Sequence, residues 1–121
     1  MDNCVFCKII KGEIPSYTIY EDDIVKVFLD INPSVIGHML IIPKEHYTDI
    51  DDIDIDTLTH IMKTAKKMHS LLKEKLNIDG LCMAQNNGSI QEVKHYHLHI
   101  KPHYSESPSL TIEEVYKKLV D

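Results

Sequence analysis

The sequence predicts a single α+β domain built on an antiparallel sheet of about five strands, with one long and one short helix. Three observations carry this reading. Short strand-like runs stand on both sides of one long amphipathic stretch, the order of an antiparallel α+β domain. The chain has 121 residues, enough for one domain with its own core. No repeat, low-complexity tract or Gly/Ser linker divides it, so residues 1–121 read as one unit.

Each element has its own warrant. Lys11 to Ser16, with Gly12 and Pro15, reads as a turn. Tyr17 to Glu21 and Ile24 to Leu29 are expected strands joined tightly at Glu21-Asp22-Asp23, and Asn32-Pro33 breaks the second. Met39 to Ile42 is a continuous apolar run closed by Pro43, as in a buried strand. Leu58, Ile61, Met62, Ala65, Met68, Leu72 and Leu76 recur at three- and four-residue steps, which predicts a long helix with one apolar stripe. Asp54 or Asp56 suits its start, Lys73 and Lys75 suit its C-terminal dipole, and Asn77 with Gly80 stops it. Leu81 to Ala84 and His95 to Lys101 are expected strands around a loop from Asn86 to Glu92, and Thr111 to Val120 reads as the short helix.

Composition excludes several functions. Hydrophobic residues make up 43% and charged residues 26%, ordinary for a soluble globular protein. Thirteen basic against 19 acidic residues leave a charge of −6, which argues against a broad grip on nucleic acid or an anionic membrane. No apolar run approaches the ~20 residues that span a bilayer. Met1-Asp2-Asn3-Cys4 has no secretory signal pattern, so a cytoplasmic location is expected. Three cysteines are too few and too uneven for a disulfide framework. Cys4-x-x-Cys7 is then a metal or redox pair, or inert, and Cys82 is expected as a buried strand thiol.

The distinctive feature is His95-Tyr96-His97-Leu98-His99-Ile100. On a strand, His95, His97 and His99 share one face while Tyr96, Leu98 and Ile100 share the other. The outer two backbones would lie about 13 Å apart, too far to share one ion with bonds of about 2 Å. His97 and His99 as a zinc pair remain possible, as does nucleophilic chemistry in which one neutral imidazole attacks and its neighbour donates to a phosphate oxygen.

Several blocks together resemble the histidine triad (HIT) proteins, and within them the Hint-like branch. They are Cys4 to Ile10 with Gly12-Glu13-Ile14-Pro15, Phe28 to Pro33, Gly37 to His46, and the triad itself. The resemblance implies a HIT-like fold, a homodimer, and phosphoramidase, nucleotidyl hydrolase or transferase chemistry on a purine nucleotide. It implies His97 as the nucleophile at the α-phosphorus, His99 on the phosphate oxygens and His38 orienting or buffering the triad. Val5, Phe6, Ile31 and Leu40 would wall the base, Asp30 would accept from the ribose hydroxyls, and Asn86 and Gln91 would lie near the ribose and phosphate. It also implies a structural zinc on Cys4, Cys7, His46 and His95, with no catalytic metal. Two other classes stay open: a zinc-dependent hydrolase on His97 and His99, and a nucleotide-binding regulatory protein with little turnover.

The chain departs from the family pattern before the triad. Ile90 stands where the family commonly has glycine, and Glu92 where it has a hydroxyl residue, in a loop about two residues shorter. Glu92 is turned to solvent, or it faces the leaving group and disfavours anionic ones. His60 and His69 are expected to face solvent, and His103 follows Pro102 where the family often has a basic residue.

Overall fold

A computed structural model describes residues 3–121; Met1 and Asp2, the start of the expected domain and of the stretch read for a secretory signal, lie outside the described residues. The chain runs α1 (Val5–Ile10), β1 (Thr18–Glu21), β2 (Val25–Leu29), β3 (Met39–Pro43), α2 (Ile55–Leu76), β4 (Gly80–Ala84), β5 (Leu98–His103) and α3 (Ile112–Val120). A single 3-10 turn occupies Gly88–Ile90. The strands form one antiparallel sheet in the order β1-β2-β3-β5-β4, the α+β architecture the sequence predicts.

Strand alternation sorts the sheet onto two unequal faces. Val25, Val27, Leu29, Met39, Ile41, Leu98 and Ile100 pack against Ile61, Ala65, Met68, Leu72 and Leu76 of α2 and against Val115 and Leu119 of α3. This is the main core. The opposite parity sends Phe28, Leu40 and Ile42 to the other face, where α1 covers them through Phe6 and Ile9, with Ile14 and Val93 at the margin. Lys26 shares that parity and is buried, its ammonium donating to the Ile9 carbonyl at the end of α1 (3.3 Å).

Local caps set the boundaries. Asp22 Oδ1 accepts the Ile24 and Val25 amides, closing the β1–β2 hairpin. Asp54 holds the N-cap position of α2 but makes no side-chain cap bond, and Asn77 ends α2 in the left-handed region. Thr111 and Glu114 form a complete capping box on α3.

The structure corrects four expectations. The last strand begins at Leu98, not His95, and extends to His103. Ahead of it the ladder is replaced: His95 Nε2 takes the Pro43 carbonyl (2.9 Å), and the Tyr96 amide donates to the Tyr47 carbonyl (2.7 Å). Helix α1 was not expected; it is six residues long, and its N-cap is the Cys4 sulfur accepting the Cys7 amide. Cys82 is exposed, because β4 is an edge strand on which Met83 is exposed too. His60 is not simply solvated; its Nε2 bonds Asp22 Oδ2 at 2.7 Å.

Gly37 introduces β3 at φ +84°, and a Cβ there would meet Leu76 Cδ1 and Tyr104 Oη at 3.1 Å. Gly37→Ala is expected to cost about 1–3 kcal/mol from the backbone alone, with the close contacts adding to it, read as a lower midpoint in denaturant.

Candidate active site

The parity that brings Phe28 and Leu40 to the α1 face brings the histidines there too. Leu40 pairs with both Phe28 and His99 across the sheet, so His99 lies beside the second cluster. His38 precedes β3 in step with Leu40, and Asp30 follows β2 in step with Phe28. His95 and His97 keep the alternation although no ladder holds them: both are buried, with the edge of Phe6 packed on each ring, while Tyr96 joins the main core.

Hydrogen bonds assign the imidazole protons. His97 Nδ1 lies 2.8 Å from the His95 carbonyl, which only accepts, so Nδ1 carries the proton and Nε2 is left with a free lone pair. The Ser34 amide donates to His38 Nδ1 (3.2 Å), which places the proton of neutral His38 on Nε2. His38 Nε2 then donates to His99 Nδ1 at 2.9 Å, and His99 keeps its own proton on Nε2. Two imidazoles with ring centres 4.9 Å apart therefore differ in kind: one presents a free lone pair at Nε2, the other a proton.

A cavity of about 240 Å³ opens over these rings. Its lining includes Val5, Phe6, Asp30, Ile31, Leu40, His97 and His99, all expected from the sequence, and also Glu92. Ile9, Ile14, Pro15, Ser16, Phe28, Leu29 and Val93 complete it; of these, Phe28 could have been found from its strand parity with Asp30. Asn86 and Gln91 lie outside the lining. Gln91 is buried and its amide donates to the Thr48 carbonyl (2.6 Å), while Asn86 is half-buried before the 3-10 turn. His38 sits behind His99 and not in the cavity wall.

A second cluster adjoins the first. Cys4 Sγ lies 3.3 Å from His95 Nδ1, Cys7 Sγ 3.3 Å from His46 Nδ1 and 3.6 Å from His95 Nδ1, and the two Nδ1 atoms are 3.2 Å apart. His95 donates its Nε2 proton to Pro43, so its Nδ1 lone pair points at the sulfurs. Donors so spaced fit around one tetrahedral ion with bonds of 2.0–2.3 Å, in the closed Cys2His2 composition of structural sites.

The family model described as HIT domain matches residues 11–106. A HIT-like protein of Methanocaldococcus jannaschii is 43% identical over 96% of this chain and 98% of its own length. This chain belongs to the HIT family. The adenosine 5'-monophosphoramidase HNT1 of Saccharomyces cerevisiae is 43% identical, over 90% of this chain and 68% of that one. Among solved structures, a zinc-bound histidine triad family protein from Mycobacterium smegmatis superposes with a TM-score of 0.91 at 33% identity, covering 98% of this chain and 91% of that one.

Burial tunes the charges of this HIT domain. It pushes His99 down to about 4, helped by His97, His38 and Lys101 and opposed by Asp30. It lowers His38 as well, again against Asp30, whose Oδ2 lies 3.7 Å away. Both rings are accordingly neutral near pH 7. Among the cysteines, burial pushes the Cys7 thiol up to about 11, and neighbouring Cys4 adds to the shift. A pair of thiolates is unfavourable there without a cation. No helix among the described residues is long and apolar enough to cross a membrane.

The depressed His99 sets a pH dependence of stability. Between about pH 6.5 and 4 the unfolded imidazole binds a proton that the folded one refuses, so stability rises with pH across that window. Thermal melts from pH 7 to 4.5 are expected to fall progressively, and less steeply in His99→Gln.

Proposed function

We propose that this HIT protein is a nucleotide phosphoramidase or nucleotidyl hydrolase (or transferase) acting on purine nucleoside 5'-phosphate derivatives. The observation that carries the reading is the bond from His97 Nδ1–H to the His95 carbonyl, which leaves Nε2 bare on a ring that lines the cavity. In this reading His97 Nε2 attacks the α-phosphorus and the bond to the leaving group breaks. Water then hydrolyses the nucleotidyl-histidine to the nucleoside monophosphate. His99 donates Nε2–H to a non-bridging oxygen as charge builds there, and His38 positions His99. The base would lie between Phe6, Val5, Ile31 and Leu40, with Asp30 accepting from the ribose. Asn86 and Gln91 act from outside the lining, Gln91 by fixing its loop to Thr48.

Cys4, Cys7, His46 and His95 would hold a structural zinc. Bound there, it would neutralise the thiolates and clamp α1 to the sheet. The same His95 that would bind it holds His97 through its carbonyl. Metal chemistry on His99 is a weaker reading, because its Nδ1 accepts from His38 and its Nε2 carries the proton, leaving no lone pair for an ion. The exposed edge β4 supports a homodimer in which two sheets join, and we propose a cytoplasmic location.

The deciding experiment is mass spectrometry of protein quenched during turnover of an adenosine phosphoramidate. A nucleotidyl adduct on His97 is expected, and His97→Asn should lose both adduct and turnover while still binding AMP. AMP binding without turnover in the unaltered protein would favour the regulatory reading instead. Chelation of metal is expected to lower the melting temperature and weaken AMP binding through α1 while adduct formation persists. Loss of adduct with AMP affinity unchanged would favour a metal-dependent hydrolase.

A further inference from the structure

The mouth of the cavity carries a carboxylate that the reaction above does not use. Glu92 is exposed yet lines the cavity that contains His97 and His99. Among the described residues it makes no ion pair. Lys94, two positions on, is committed elsewhere, its ammonium donating to the Gly88 carbonyl at 2.6 Å.

The loop bearing Glu92 is held in place. The Gly88 main-chain amide donates to Asp49 Oδ2 (3.1 Å), the Ile50 main-chain amide to Asn87 Oδ1 (2.8 Å), and the Gln91 side-chain Nε2 to the Thr48 carbonyl (2.6 Å). Glu92 therefore keeps its place at the mouth. Asp30 is the other carboxylate of the lining, and one of its oxygens is already occupied by the Asn32 amide (2.9 Å). No lysine lines the cavity, and the chain has no arginine. A site meant for a polyanion would carry lysine or arginine; this one carries two carboxylates and two imidazoles.

With base and ribose in the apolar interior and phosphorus at His97, the group that departs points to the open side, where Glu92 stands. We propose that Glu92 is a specificity residue that selects leaving amines bearing a second, positively charged nitrogen, as in nucleotide phosphoramidates of diamines or polyamines, and disfavours polyphosphate leaving groups. The proposal rests on the phosphoramidase reading. In that reaction the P–N bond breaks with its electron pair on nitrogen, which takes a proton and leaves as an amine. Water supplies the hydroxyl that ends on phosphorus and, net, that proton. The second ammonium stays intact and pairs with Glu92 throughout.

The test compares two adenosine 5'-phosphoramidates, one of 1,3-diaminopropane and one of butylamine, which differ by an ammonium in place of a methyl. The unaltered protein is expected to favour the diamine compound about three- to fivefold in kcat/KM at low salt, with the preference shrinking as salt rises. Glu92→Gln should bring the ratio to about one, and Glu92→Lys should invert it while raising relative turnover of diadenosine polyphosphate. A ratio near one in the unaltered protein, or a preference that survives Glu92→Gln, overturns the assignment of Glu92 and leaves the phosphoramidase reading standing. Failure to turn over either compound removes that reading and this proposal with it.

Discussion

His95 is the residue on which the rest of the site depends. Its Nε2 replaces a lost ladder bond at Pro43, its Nδ1 completes the cysteine cluster, and its carbonyl fixes the proton of His97. These roles are compatible because they use three different atoms. A fully buried ring with both nitrogens engaged is rigid, so the carbonyl two residues from the proposed nucleophile is rigid as well. Strand pairing alone would not achieve this, since β5 begins only at Leu98.

The sheet is covered unequally, and the chemistry sits on the thinner side. Helices α2 and α3 close the main core over one face, whereas the other is roofed by the six residues of α1. That roof is tied down at both ends: the Lys26 ammonium binds the Ile9 carbonyl, and Cys4 and Cys7 meet His46 and His95. Phe6, between those ties, touches Phe28 and His97 edge-on, so the same short helix forms part of the cavity wall.

Much of this was legible in the sequence where periodicity is strong. The apolar stripe of α2 and the strand-like runs predicted the element order, and the alternation of His95, His97 and His99 predicted a shared face. That alternation survived even though its first half is not in the ladder, because side-chain bonds at Pro43 and Tyr47 hold the segment extended. Helix α1 was not legible: six residues give no repeat of a period, and a cysteine sulfur is an unusual cap. Cys82 was misread because residue type speaks to average burial and not to a position on an edge strand. The cavity residues came mainly from family resemblance, which located Val5, Ile31 and Asp30; spacing alone would have assigned the apolar ones to the core. The inward turn of Gln91 toward Thr48 depends on a contact 43 positions away in the chain, which no local pattern encodes.

The relay from Ser34 through His38 to His99 starts at a main-chain amide. A peptide N–H has no accessible titration and is common to every residue type except proline. The Ser34 hydroxyl lies 3.4 Å from the same nitrogen and backs the amide up; removing it still leaves the peptide N–H to direct the relay, whereas an imino acid at position 34 would remove both donors and let both tautomers compete.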